Sequence, residues 1–305
     1  MKKVIFMGTP DYAGVILEKL LESNDINVCA VFTQPDKPVG RKQILTPPYV
    51  KKMLLDKKSD IKIYQPSSLK DESVINVIKE LAPDFIVVAA YGQILPKEIL
   101  QITPCINLHA SLLPKYRGAS PIQAVLLNDE EMTGVTAMLM DEGLDTGDIL
   151  AYSFVKITPE TLVGELFEKL SFSAANLCVS TLKEFDKIKP LKQFGALKSY
   201  SKKIKRSNGE IEFKNAKEIY IKYRAYTPWP GIYLENGLKI KKMSLLNETD
   251  TFKEGEILDI ADNDITVGCK AGKIIIQRVQ PPSKKEMSAK EYILGKRLKV
   301  GDRLN

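Results

Sequence analysis

Over its first 140 residues the chain alternates short β-branched apolar runs with windows of helical periodicity, and this alternation restricts the fold more than any other feature. Val4 to Met7 is an apolar run ending in Gly8-Thr9-Pro10, and Ala13, Ile16, Leu17, Leu20 and Leu21 then share one helical face. A second strand is expected at 28–33, followed by a long loop, QPDKPVGRKQILTPP. The pattern continues with a helix at 50–55, a strand at 61–64, a helix at 74–81 and strands at 85–90 and 105–108, then a helix at 121–127 and a strand at 135–140. Strands separated by helical crossovers lie parallel in one sheet with helices on both faces, so an α/β, doubly wound, mostly parallel sheet is expected. Thr158 reads as an N-cap and Pro159 as the first helical position of a long amphipathic helix, with apolar residues from 162 to 185 closing this domain.

A chain of 305 residues is long for one hydrophobic core, and its texture changes after Lys189-Pro190. Residues 190–206 read as a polar linker ending in Lys202, Lys203, Lys205 and Arg206. Beyond it one helix is expected at 216–226, stopped by Pro228-Trp229-Pro230-Gly231. Asn236-Gly237 and Ala271-Gly272 then signal hairpins, which suggests a small antiparallel, OB-like β-barrel over 207–305, following a catalytic domain over 1–189. Residues 191–305 hold 24 Lys and Arg against 14 Asp and Glu, whereas residues 1–190 hold 21 against 24. The whole basic surplus therefore lies in the last third, as expected for a polyanion-binding module joined to a near-neutral catalytic one.

Other classes are disfavoured. The longest apolar run, 85–90, is far too short to cross a bilayer, and the start MKKVIFMGTP lacks the apolar core of a secretory signal. Cys29, Cys105, Cys178 and Cys269 are widely spaced with no C-x-x-C, so free thiols and a cytoplasmic location are expected rather than disulfides or a zinc site. Met7-Gly8-Thr9-Pro10-Asp11 lacks G-x-G-x-x-G, so a tight strand-to-helix turn is expected there instead of a dinucleotide site.

His109 is the only histidine, so any imidazole acid-base step runs through it. It lies at the expected carboxyl end of the strand beginning at Cys105, where open α/β sheets bind ligands, and strand alternation puts Asn107 on the same side. An amide donor beside an imidazole suits addition to a carbonyl, with Asn107 donating to a developing oxyanion and His109 accepting a proton. Asp145, in the loop D-E-G-L-D-T-G-D, is placed to orient that imidazole. Asp-Thr-Gly also occurs in aspartic proteases, but those need a second such carboxylate, and no second Asp-Thr-Gly exists here.

The stretch INLHASLLPKYRGASPIQ, with GLDTGDIL downstream, resembles the N-x-H, S-L-L-P and D-x-G-x-D-T-G signature of the folate-dependent formyltransferases. FMGTPDYA, VFTQPDKPVGR, VAAYGQILP and PWPG resemble the members acting on methionyl initiator tRNA, so that the likeness runs from Lys3 to about Leu304. The resemblance implies metal-free transfer of a formyl group from 10-formyltetrahydrofolate to the amino group of the esterified methionine. It assigns the oxyanion to Asn107, the proton to His109 and orientation of the imidazole to Asp145. It places the pterin against Ser111, Leu112, Leu113 and Pro114 and the backbone near Val87, Ala89 and Tyr91. It implies that Arg41 and Lys42 sense the acceptor stem, with Lys202, Lys203, Lys205 and Arg206 meeting the tRNA backbone, and a monomer is expected. Nucleotide-sugar formyltransferases share the central motifs and form the alternative. A sugar nucleotide, however, needs one modest anionic pocket rather than a strongly basic module.

Overall fold

A computed structural model describes residues 1–40 and 42–304. The chain divides into two compact units: Met1–Pro121, Glu131–Ile157 and Phe167–Ser201 form the first, and Ile122–Glu130, Thr158–Leu166 and the residues from Lys202 onward the second.

The first unit contains, in chain order, β1 (Lys2–Gly8), α1 (Asp11–Leu21), β2 (Ile26–Phe32), β3 (Lys37–Val39), β4 (Ile44–Thr46), α2 (Tyr49–Asp56) and β5 (Lys62–Tyr64). There follow α3 (Glu72–Leu81), β6 (Phe85–Ala89), α4 (Lys97–Leu100), β7 (Cys105–His109), β8 (Arg117–Gly118), α5 (Pro121–Leu127), β9 (Met132–Leu139), β10 (Ile149–Lys156), α6 (Val163–Glu184) and β11 (Tyr200–Ser201). Helices α5 and α6 are shared with the second unit. Seven strands form one sheet in the order β10-β9-β7-β6-β1-β2-β5. From β7 to β5 all neighbours are parallel, whereas β9 and β10 add antiparallel.

Strand β1 lies at the centre because it is apolar on both faces: Val4, Ile5, Phe6 and Met7 are all fully buried. Ile5 and Met7 join Ile86, Val88, Phe32, Ile75, Ile78 and Ile99 in one core cluster. The chain winds outward through β2 and β5 and returns to the other side of β1 with β6, so the switch point falls between β1 and β6. The turn after β1 needs Gly8, because a Cβ there would stand 2.6 Å from the Ala13 Cβ and 3.0 Å from the Ala89 carbonyl.

Four local expectations are corrected. The helix expected to be capped by Thr158 begins at Val163. The Thr158 backbone N–H is taken by the Thr161 hydroxyl, which holds these residues in a turn. The loop expected over 34–48 carries a short exposed hairpin, β3 paired with β4. β10, absent from the sequence reading, pairs antiparallel with β9. It follows a hairpin connection rather than a helix and so lies outside the strand-helix rhythm. Residues 191–201, read as linker, pack on the first unit: Leu191 and Ile149 exchange backbone hydrogen bonds of 2.8 and 2.9 Å, and β11 pairs with β8.

In the second unit, α7 (Ala216–Tyr226) precedes β12 (Ile232–Tyr233), β13 (Lys239–Asn247), β14 (Ile257–Ile260), β15 (Ile265–Gly268), β16 (Lys273–Gln280), β17 (Met287–Ser288) and α8 (Ala289–Gly295). The strands form an antiparallel sheet in the order β12-β13-β16-β15-β14, with β17 beside β16. Both expected hairpins are present, joining β12 to β13 and β15 to β16. The unexpected α8 starts on a capping box between Ser288 and Glu291. Arg224 of α7, 3% exposed, donates from Nε to the Thr161 carbonyl and from Nη2 to that of Thr158, both at 3.1 Å. Its Nη1 donates to Asp129 at 3.0 Å, so α7 holds both early segments of this unit.

Candidate active site

Strand β7 ends beside β6 on one side and β9 on the other, opposite Thr136 at His109 and Met138 at Asn107. The loop joining β9 to β10 carries Asp145. β9 runs antiparallel to β7, so this loop leaves Leu139 beside Ile106 and folds back along β7 to bring Asp145 to Asn107 and His109, where the three side chains converge. Asn107 Nδ2 stands 3.5 Å from Asp145 Oδ1, and His109 Nδ1 stands 3.7 Å from the same oxygen. The His109 and Asp145 side chains are 7% and 12% exposed, which shields their interaction from water.

His109 Nε2 lies 3.0 Å from the Tyr116 carbonyl. A carbonyl only accepts, so Nε2 carries a proton and Nδ1, facing Asp145, is the atom left to exchange one. Asp145 Oδ2 accepts the Gly118 N–H at 2.8 Å. Asp145 has φ 52°, Tyr116 φ 60° and Ala90 φ 45°, so three non-glycine residues sit in the left-handed region around this strand end. Each such residue costs about 1–3 kcal/mol, which surrounding contacts must offset. Gly118 has φ +109°, and a Cβ there would meet the Ser201 carbonyl at 2.6 Å, so the close approach of β8 to β11 requires glycine.

The other expected residues are placed as follows. Ser111 is buried, its hydroxyl donating to the Lys115 carbonyl at 2.7 Å. Leu113 is buried, with its N–H on the Thr136 hydroxyl and its carbonyl accepting from Tyr152, whereas Leu112 and Pro114 are half-buried. Val87 is fully buried and paired on both sides, with Phe6 and Ile106, and Ala89 is fully buried beside Gly8. The backbone that leaves the sheet here begins at Ala90, and the Tyr91 carbonyl accepts from Thr9 at 2.9 Å. Burial pushes the Tyr91 phenol up to about 12. Lys42, Lys202, Lys203, Lys205 and Arg206 are exposed, and Arg41 lies outside the described residues. Sequence reasoning missed Gln193. Its Nε2 donates to the carbonyls of Asp145 and Gly147 at 2.9 and 2.8 Å, and its position in an apparent linker offered no signal. It also missed the Tyr116 carbonyl and the Gly118 N–H, which are backbone groups that no side-chain pattern reveals.

An amide donor, an imidazole and an orienting carboxylate at the carboxyl end of a parallel strand define the class of site that transfers an acyl group to a nucleophile. Known proteins narrow that class. The formyl transferase family model matches residues 1–182, and the formyl transferase C-terminal domain model matches residues 203–297. The chain is 61% identical over 300 residues to the methionyl-tRNA formyltransferase of a Nitratiruptor species, covering 98% of this chain and 99% of that one. It is 54% identical over 303 residues to the same enzyme of Sulfurimonas denitrificans, covering 99% and 100%. The chain belongs to the methionyl-tRNA formyltransferase family.

Solved structures bear on the fold alone. The N-formyltransferase of Helicobacter canadensis, in complex with folinic acid and dTDP-3-aminofucose, has a TM-score of 0.66 at 21% identity, covering 91% of this chain and 99% of that one. HypX from Aquifex aeolicus in complex with tetrahydrofolic acid has a TM-score of 0.62 at 14% identity, covering 96% of this chain and 47% of that one.

Proposed function

We propose that the protein transfers a formyl group from 10-formyltetrahydrofolate to the amino group of methionine esterified to initiator tRNA. The observation that carries this reading is the convergence of Asn107 Nδ2 and His109 Nδ1 on one oxygen of Asp145, in a chain 61% identical to a methionyl-tRNA formyltransferase over nearly its whole length.

The folate supplies the formyl group as a carbonyl on nitrogen. Asn107 donates its amide N–H to the formyl oxygen as negative charge develops there, which lowers the barrier to attack by the methionine nitrogen. His109 takes up the proton that the amine must lose and delivers one to the departing folate nitrogen, so the exchange balances without an outside reagent. Asp145 stabilises the imidazolium formed in between. Ser111, Leu112, Leu113 and Pro114, with the backbone turn that begins at Ala90, form the bed for the pterin. Lys42, Lys202, Lys203, Lys205 and Arg206 contact the tRNA backbone, and Arg41 is assigned there by resemblance. The protein acts in the cytoplasm as a monomer. Among the described residues no helix is long and apolar enough to cross a membrane.

A sugar-nucleotide acceptor is favoured by no observation here, because the N-formyltransferase of Helicobacter canadensis in complex with dTDP-3-aminofucose is only 21% identical. The test is formylation by purified protein of charged initiator tRNA, with an amino-sugar nucleotide and glycinamide ribonucleotide as competing acceptors. Formylmethionine released from the tRNA is the expected product; formylation confined to either competitor would overturn the reading.

A further inference from the structure

The Gln193 side chain uses every hydrogen-bonding position it has. Nε2 donates to the carbonyls of Asp145 and Gly147, at 2.9 and 2.8 Å. Oε1 accepts from Arg117 Nε at 3.1 Å and from Arg117 Nη2 at 2.6 Å. The orientation of this amide is fixed by its partners, because a carbonyl only accepts and a guanidinium only donates. Arg117 is 5% exposed, and among the described residues no carboxylate pairs with it; the Gln193 oxygen is what meets its guanidinium.

This arrangement reaches the candidate active site by two routes. Gln193 holds the Asp145 main chain directly. Arg117 is followed by Gly118, whose N–H holds the Asp145 carboxylate at 2.8 Å. Asp145 is thus gripped at its backbone and at its side chain by two adjoining parts of one network. It needs that grip because its φ of 52° is a conformation that non-glycine residues leave when unconstrained.

We propose that Gln193, backed by Arg117, is a positioning residue that keeps the β9–β10 loop in the conformation aiming Asp145 at Asn107 and His109. The inference rests on the catalytic reading of Asp145 given above. Without the two donors of Gln193, the loop relaxes toward ordinary backbone angles and the carboxylate turns away from the imidazole. Residues that touch the substrates remain, so turnover falls while substrate affinity is kept.

The experiment compares the full-length protein with Gln193→Ala, Gln193→Glu and Arg117→Lys, by steady-state formylation of methionyl-tRNA and by hydrogen exchange of the Gly118 amide. For Gln193→Ala, kcat falls about 10- to 100-fold, as loss of a supporting contact to a reacting group does. KM for both substrates stays within about threefold, and Gly118 exchanges at least about tenfold faster because its acceptor has moved. Gln193→Glu keeps the volume and the acceptor for Arg117 but has no donor for the two carbonyls, so it does not recover activity. Arg117→Lys keeps the charge but puts its donors on one nitrogen, losing the paired Nε and Nη2 contact, and is intermediate. Turnover of Gln193→Ala within twofold of the parent, Gln193→Glu restored to the parent rate, or unchanged Gly118 exchange would each overturn the proposal. If Gln193→Ala fails to fold, the two volume-conserving variants carry the same comparison. If the parent protein formylates no methionyl-tRNA, the functional reading fails, and Gly118 exchange still decides whether Gln193 holds the loop.

Discussion

His109 has its two ring nitrogens beside different neighbours, the Tyr116 carbonyl 3.0 Å from Nε2 and the Asp145 carboxylate 3.7 Å from Nδ1. This division makes the side chain directional, since only the nitrogen facing Asp145 is left to exchange a proton. His109→Ala removes that function and leaves the basic surface intact. Its kcat should therefore fall about 10²- to 10⁴-fold, the usual worth of a positioned acid-base group, while tRNA affinity measured by filter binding stays within about twofold. Turnover close to normal would remove His109 from the mechanism. The pairing of Asn107 with His109 was legible in the sequence because strand alternation depends on local backbone alone. The contributions of Tyr116, Gly118 and Gln193 were not, because two are main-chain groups and the third comes from 46 residues beyond Gly147.

At the scale of elements, the strands and helices that obey the parallel strand-helix rhythm were readable, and those that break it were not. The α7 boundaries match the expected 216–226, because Asn215 caps the start and Pro228 follows the end. α6 starts at Val163 because the Thr161 hydroxyl holds Thr158 in a turn, and the carbonyls of Thr158 and Thr161 accept from Arg224, far along the chain. Replacing Arg224 with Met should leave the Thr161 carbonyl without its side-chain donor, while the Thr158 carbonyl keeps the Thr161 N–H and Asp129 keeps Lys217. Asp129 is 38% exposed and can turn to water, so the expected loss is about 2–3 kcal/mol, below the usual cost of breaking a fully buried pair. Urea denaturation of the Arg224→Met protein, followed by a probe in the second unit, checks this; a midpoint equal to that of the parent would contradict it.

At the scale of the molecule, two properties follow from where charge and burial fall. On the proposed function, the basic surplus of the last third would carry tRNA affinity through phosphate contacts. Raising salt from about 50 to about 200 mM should weaken tRNA binding by orders of magnitude and change folate binding little, as separate titrations would reveal. Equal salt sensitivity would count against the basic module as the platform. Stability should also fall at alkaline pH. Burial pushes the Cys105 and Cys269 thiols up to about 12 from an ordinary value of 9.0, and Cys178 rises as well. Above about pH 9 the unfolded chain releases protons that the folded chain retains, so stability is intact below that pH and declines from there toward about 12. The urea midpoint should hold between about pH 7 and about 8.5 and then fall steadily; a flat profile to about pH 11 would show that these thiols titrate normally when folded.

The amino-acid order alone settled the parallel sheet, the antiparallel module after it, and the nomination of Asn107, His109 and Asp145, because periodicity, turn chemistry and short spacings are local. Tertiary structure alone decided which residues support those three. It set the first unit's edge at Ser201, folded the apparent linker back onto that unit and brought Gln193 to the Asp145 loop. The physical reason is that a buried hydrogen-bond network is satisfied by whichever groups the packed chain brings within about 3 Å, and distance along the sequence carries no record of that.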